Sequence, residues 1–264
     1  MNLKIIIILL LLFQFSGCGT VSTDKEIVVD KNTTLTRIDA NETDEFVESV
    51  EVNKTIDLDN FISYDNCDQI IEKEFSTGSL LSICYDYGYK SAKYVAYTLD
   101  GTLVNSKNIN ERPSYHVERE IPNEYRTTFT YSQTGYEHGH LAPDASFDYN
   151  MEDLRIVYTL ANIIPQDPNI NGDFWSDVEK YAREMAEHLG ELSVINGVVF
   201  DKKPLYIGKN KMAVSKGFWK ILYNEDEAFR ECYYYDNFVL FDVDKDTLLS
   251  HKVDCNSLII GDDS

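Results

Sequence analysis

Short β-prone apolar segments lie on both sides of one helical pattern in this chain. Five segments have the alternating or continuous apolar character of strands. They are Ser79–Tyr85, Lys93–Leu99, Leu192–Phe200, Gly217–Leu222 and Asn237–Val243. Between the two groups, apolar residues recur at helical spacing from Phe174 to Leu189, and Gly190 follows them. This order predicts an α+β domain, or a sheet with helices packed against it.

The amino terminus has the pattern of an export signal. Lys4 precedes an apolar run, Ile5–Phe13, which is too short to span a bilayer. Phe15-Ser16-Gly17-Cys18 resembles the end of a bacterial lipoprotein signal, in which the cysteine is lipid-modified, although that pattern prefers leucine at the position of Phe15. We therefore predict a signal peptide at 1–18, with a cleaved signal and a chance cysteine as the alternative.

The next segment, 19–60, is predicted to be a flexible tether. It holds 11 acidic and 4 basic residues, and its apolar residues are scattered singly. The folded domain is assigned to 61–264. This organisation predicts an exported protein: a cell-envelope lipoprotein anchored in the membrane through Cys18 and facing the periplasm or the outer surface, or otherwise a periplasmic or secreted protein.

The net charge of the chain restricts how it could bind nucleic acid. The chain has 264 residues and a formal charge of −21, which argues against binding nucleic acid through a broad basic surface. An enzyme that contacts nucleic acid only inside a small site remains compatible with that charge.

Four cysteines remain after Cys18, an even number that suits an oxidising compartment. They allow three pairings. The expected one joins sequence neighbours, Cys67 with Cys84 and Cys232 with Cys255; free buried thiols are the alternative.

The residues that suggest chemistry begin at Glu137-His138-Gly139-His140. Two imidazoles flank a glycine, which would let the backbone turn or let a ligand approach closely. Asn171 lies where the predicted helix begins, and Glu179 lies on it. Eight residues of regular helix rotate about 80° and rise about 12 Å, so the two share a broad face but cannot both bind one ion directly without a reaching side chain or a bridging water. Amide and carboxylate oxygens with water suit a magnesium-type ion. A neutral imidazole beside such an ion suits phosphodiester hydrolysis.

Three motifs together resemble the DNA/RNA non-specific endonuclease family. They are Glu137-His138-Gly139-His140-Leu141-Ala142-Pro143, then Asn162-Ile163-Ile164-Pro165-Gln166, then Asn171-Gly172-Asp173-Phe174-Trp175 with Glu179 beyond. The resemblance extends from near Arg112 to near Phe218. It implies a central antiparallel sheet with packed helices and a ββα-metal finger. It also implies hydrolysis of DNA and RNA with magnesium, or manganese as the alternative ion.

The resemblance assigns a role to each matching residue. His140 would be the general base, and Asn162 would orient the site by hydrogen bonds. Asn171 would bind the metal directly, and Glu179 would hold a metal-bound water. Arg112, which the resemblance places less firmly, would contact phosphate, as a guanidinium is well shaped to do.

Two motif positions depart from the family. Glu137 and His138 stand where the family usually has Asp and Arg. His138 keeps a hydrogen-bond donor for the substrate but is only partly protonated at neutral pH. Substrate affinity is therefore expected to be weaker or pH-dependent.

Two alternatives stay open from the sequence. The first is a non-catalytic envelope lipoprotein that retains the nuclease fold as a binding module, which the acidity and the missing motif arginine favour. The second is a zinc site formed by His116, His138 and His140. The sequence indicates no protein partner.

Overall fold

The computed structural model describes residues 67–127, 134–238 and 246–258. The predicted signal at 1–18, the predicted tether at 19–60 and the anchor at Cys18 lie outside these ranges. Within them, no helix combines the length and the apolar character needed to cross a membrane.

A seven-stranded antiparallel sheet forms the centre of the domain, as the fold-class prediction required. Its strands are β1 (Gln69–Glu74), β2 (Leu80–Asp86), β3 (Ser91–Asp100), β6 (Glu191–Val199), β9 (Gly217–Asn224), β10 (Phe229–Asp236) and β11 (Lys252–Val253). They lie in space in the same order as in the chain, and the strands missing from the series form two separate pairs.

Four predicted strands coincide with β2, β3, β6 and β9 to within two residues at each end. The fifth, Asn237–Val243, is described only at Asn237 and Phe238, and neither of them lies in a strand. The segment just before it forms β10 (Phe229–Asp236), which was not predicted. Its charged residues Arg230 and Glu231 interrupt the apolar pattern that would have predicted a strand. In the fold the strand forms because it pairs with β9 along its whole length. Residues 239–243 lie outside the described ranges.

Two α-helices accompany the sheet in the part of the chain that the structure describes. The predicted one, α2, runs from Trp175 to Leu189 and ends at Gly190, whose φ of 86° favours glycine. Its buried residues share one face: Trp175, Val178, Ala182 and Ala186. The other helix, α1 (Met151–Val157), was not predicted; Asn150 caps it by accepting a hydrogen bond from the Glu152 backbone N–H.

A separate strand pair carries the first motif. β4 (Glu137–His140) pairs antiparallel with β5 (Ile163–Gln166), so that His140 lies opposite Ile163 and Glu137 opposite Gln166. Both strands precede α2 in the chain, which gives the ββα order that the resemblance implies. A further small hairpin joins β7 (Tyr206–Ile207) to β8 (Met212–Ala213).

The two faces of the main sheet carry different clusters. The larger core contains Trp175 of α2 together with Tyr233 and Tyr235 of β10, and it continues to β5 and to Leu141, which directly follows β4. The opposite face holds a smaller cluster around Tyr94, Trp219 and Cys232. Because side chains alternate along a strand, β10 contributes to both clusters.

Two disulfides lie on the smaller-cluster face, with the pairing predicted from sequence proximity. Cys67 bonds Cys84 and Cys232 bonds Cys255, each with a Cα–Cα distance of 5.2 Å. The first ties the chain before β1 to β2, and the second ties β10 to the carboxyl-terminal segment.

Candidate active site

The two histidines of β4 lie on one face of the strand because they are two residues apart. The ring of Tyr115 is centred 5.1 Å from the His138 ring and 5.7 Å from the His140 ring. Tyr158 adds an edge contact with His140 at 4.9 Å. The predicted closeness of the two imidazoles is therefore present, and aromatic rings enclose them.

Gly139 does not form the turn that we considered for it, because it lies inside a strand. A side chain there would collide with the neighbouring strand: an added Cβ would lie 2.2 Å from Oε1 and 2.7 Å from Cβ of Gln166. The requirement for glycine is thus the close packing of β4 on β5.

Asn162 fixes the chain just beyond His140. Its side-chain oxygen accepts from the backbone N–H of Ala142 at 2.8 Å, and its Nδ2 donates to the carbonyls of Ala142 at 2.9 Å and Val157 at 2.8 Å. Asn162 is fully buried. This geometry is what an orienting residue needs, and it links the end of β4 to α1.

Arg112 reaches this region but is already paired. Its Nε lies 3.0 Å from Asp144 and its Nη2 lies 3.0 Å from Asp148. Asp144 also accepts a hydrogen bond from the Tyr158 hydroxyl at 3.0 Å. The guanidinium is about one-third exposed, so an incoming phosphate would share it with two carboxylates.

His140 is held in its neutral form. Burial lowers its pKa to about 4, and the nearby His138 and Arg112 add to that effect, while Asp144 opposes it. Its Nε2 is buried and makes no hydrogen bond to the described part of the chain. A neutral imidazole with an unused ring nitrogen has the properties of a general base.

Asn171 lies in a π-helical turn, Ile170–Phe174, that leads into α2. Such wide turns recur at functional sites. The rotation and rise that we expected between Asn171 and Glu179 assume regular α-helix, so they do not hold where this π-helical turn intervenes. The Nδ2 of Asn171 donates to the Glu137 carboxylate at 2.9 Å. Asn171 therefore contacts Glu137, the first residue of β4. His140, the last residue of β4, lies about 10 Å further along the strand.

Glu179 lies on α2 with a buried cation near it. Burial raises its pKa, and the charges of Lys220 and Arg183 oppose that rise. Lys220 is fully buried on β9, with its Nζ 4.5 Å from the centre of the Trp175 ring. Asp144 acts electrostatically on both Glu179 and His140, and raises the pKa of each.

The oxygen groups present fit a hard divalent cation. The amide nitrogen of Asn171 donates to Glu137, which leaves its amide oxygen as the atom for a metal, and Glu179 supplies a carboxylate. In the described ranges, no three His, Cys, Asp or Glu side chains converge as a metal-binding group. The three-histidine zinc alternative is not supported.

Sequence reasoning missed several residues of this region. Asp144 directly follows the Leu-Ala-Pro motif, so its position was a usable signal. Tyr115, Tyr158 and Lys220 carried no signal in the sequence, because folding alone brings them to the histidines and to Glu179.

The chain is similar to known nucleases over part of its length. It is 29% identical over 144 residues to a nuclease of Nostoc sp., covering 53% of this chain and 51% of that protein. It is 27% identical over 151 residues to the mitochondrial endonuclease G of Bos taurus, covering 53% of this chain and 50% of that one. The chain thus spans about half the length of these curated relatives.

A solved structure shares the fold. A chain in a crystal structure of an EndoG/EndoGI complex superposes with a TM-score of 0.58 at 21% identity, covering 70% of this chain and 81% of that chain. Residues 62–256 match the DNA/RNA non-specific endonuclease family, which is well over half of the sequence. On this match, together with the motifs carried by β4, β5 and α2, the chain belongs to the DNA/RNA non-specific endonuclease family.

Proposed function

We propose that this protein is a metal-dependent phosphodiesterase that cleaves DNA and RNA with little sequence preference. The observation that carries the proposal is the environment of His140, a neutral imidazole with an unused buried nitrogen on the family's first motif. The phosphate backbone, common to all sequences, would be the recognised feature.

The chain's own residues account for the proton and charge movements of hydrolysis. Nε2 of His140 accepts a proton from a water as its oxygen attacks phosphorus, and the bond from phosphorus to the leaving oxygen breaks. Asn162 holds the backbone after His140 in place. Arg112 stabilises charge on the phosphoryl oxygens, and His138 donates to the substrate.

A magnesium ion, with manganese as the alternative, would be held by the Asn171 amide oxygen and by Glu179 through water. When bound, it would supply Lewis-acid stabilisation of the charge that develops on phosphorus and the leaving oxygen.

Cleavage of plasmid DNA and of RNA by the purified protein, with magnesium and with EDTA, tests the activity. We expect magnesium-dependent cleavage of both, and a loss of about 10²-fold or more in His140→Ala. His188→Ala is the matched control, because His188 is exposed at the end of α2. Binding of nucleic acid without cleavage would favour the non-catalytic alternative, and equal cleavage by His140→Ala would overturn the assigned base.

We also propose that the protein is exported and anchored through Cys18. The apolar run Ile5–Phe13 and the Ser16-Gly17-Cys18 ending support this. Fractionation of cells that express the full chain should place it with membranes, and Cys18→Ala should release it from them. Wild-type protein that remains in the cytoplasm would exclude export.

A further inference from the structure

A lysine-rich segment stands out against the acidity of the chain. Residues 202–216 contain five lysines and no Asp or Glu, whereas the formal charge of the whole protein is −21. The segment contains β7 and β8, and we call residues 202–216 the basic hairpin. Clustered cations in an acidic protein indicate a local attraction for anions.

The basic hairpin forms one side of an open pocket of about 570 Å³. Lys209 and Lys211 line it from the turn, and Lys90 lines it from the β2–β3 turn. Glu124 is the single carboxylate among its described lining residues. Tyr206 also lines the pocket and leaves 45% of its surface exposed. Three cations and an exposed aromatic ring therefore face one concave surface.

Two of the pocket's lysines occupy backbone conformations that suit other residues better. Lys90 has a φ of 52° and Lys211 a φ of 55°, in the left-handed region. Glycine or asparagine adopts this region with less strain. The turn geometry therefore does not explain the lysine side chains, which points to a role for their charge.

A buried asparagine ties the basic hairpin to the end of the molecule where Glu137 and Asn171 meet. The Nδ2 of Asn237 donates to the carbonyls of Ser215 and Pro165, both at 3.0 Å, and its Oδ1 accepts from the backbone N–H of Asp167 at 2.9 Å. Ser215 lies just after β8, and Pro165 lies in β5 beside β4. The chain leaving the hairpin thus contacts the segment that leads to Asn171.

We propose that the basic hairpin binds the phosphates of a nucleic-acid strand that extends beyond the catalytic centre, with a base stacked on Tyr206. This inference rests on the proposed function, and it names where a long substrate gains affinity. Lysines along a strand path with an exposed aromatic ring are the combination that holds single strands without reading sequence.

The test compares two double variants of equal charge change. Lys209→Gln/Lys211→Asn removes two pocket cations, and Lys107→Gln/Lys180→Gln removes two exposed lysines elsewhere. Binding of a labelled 30-nucleotide single-stranded DNA in EDTA is followed by anisotropy across a salt series. We expect the first variant to bind about tenfold more weakly, with a log–log salt slope shallower by about 1.4, and the second to match the wild type.

Cleavage of a dinucleotide, whose single phosphate is the one that is cleaved, separates binding from chemistry. In the first variant, kcat/KM should be unchanged for the dinucleotide but lower for long DNA, with the loss in KM. Thermal melting should show no loss of stability, because asparagine tolerates the left-handed position of Lys211.

Three outcomes would overturn the proposal. They are unchanged DNA affinity and salt slope, an equal loss in the control variant, or a loss confined to binding of phosphatidylglycerol vesicles, which would make the surface a membrane contact. Because the binding assay contains no magnesium and needs no cleavage, it reports on the hairpin even where the wild type proves inactive.

Discussion

At the scale of single residues, His140 is defined by what surrounds it. Two tyrosine rings and a second histidine enclose it, and burial disfavours its charged form. The negative charge of Asp144 opposes that effect, because it raises the pKa of His140. Arg112 lies 3.0 Å from Asp144 and partly neutralises its charge. The balance leaves an imidazole that can accept a proton at neutral pH and below it.

The pH dependence of activity follows from that balance. A general base works only when deprotonated, so a pKa lowered to about 4 extends activity to lower pH. An ordinary histidine of pKa about 6.5 would lose about tenfold between pH 7.5 and 5.5, whereas protonation of His140 should lower kcat/KM by less than about twofold there. Because burial raises the pKa of Glu179 to about 7, the contribution of His140 is measured in Glu179→Gln, whose amide does not titrate. The profile of kcat/KM at constant magnesium measures this.

Asp144 provides the control for that profile. Because its charge raises the pKa of His140, Asp144→Asn should move the acid limb to still lower pH. An inflection near the ordinary histidine value that persists in Glu179→Gln would contradict the burial of His140.

At the scale of elements, the β4–β5 pair and the π-helical turn before α2 position the site. β5 pairs with β4 so closely that Gly139 has no room for a side chain. The turn at Ile170–Phe174 brings Asn171 against Glu137. The site thus depends on contacts between short elements and not on one long helix.

Gly139→Ala should disturb this pairing. The new methyl would overlap Gln166, so we expect the free energy of unfolding to fall by about 1–3 kcal/mol, with a loss of activity as His140 shifts. Urea unfolding measures the first effect. Gly172→Ala is the stability control, since nothing lies within 4 Å of its added Cβ and its φ is not positive. Equal stability of the two variants would show that β4 and β5 separate easily.

At the scale of the whole molecule, chemistry and covalent reinforcement lie on different faces of the sheet. Trp175 of α2 packs on Tyr235, on the face that leads to the site. Cys232 lies on the other face with both disulfides. The disulfides therefore stabilise the sheet without touching the residues proposed to be catalytic.

Removal of one disulfide should separate stability from activity. Cys232→Ala/Cys255→Ala opens a loop with a sequence separation of 23 residues. We expect the free energy of unfolding to fall by about 3 kcal/mol. At 25 °C, kcat should stay within about twofold of the wild type. Denaturant titration measures the free energy of unfolding, and a cleavage assay measures kcat. A large fall in kcat at unchanged stability would show that the disulfide face of the sheet is coupled to the candidate site.

The sequence by itself determined the fold class, the helix at Trp175–Leu189 and the order of the motif residues, and it favoured the disulfide pairing that the structure shows. These are local properties: an apolar period, short cysteine separations, and motif residues fixed in number along the chain. The same local signals missed β10, whose charged residues break the alternation, and α1, which is short.

Only the tertiary structure decided how the motif residues are used. Several of its hydrogen bonds join residues that are far apart in the sequence. Arg112 bonds Asp148, 36 residues away, and Asn171 bonds Glu137, 34 residues away. Asn237 bonds Pro165, 72 residues away. Contacts at such separations depend on how the sheet and helices pack, which no local pattern encodes. The charge state of His140 follows from burial, and burial is a property of the packed molecule as a whole.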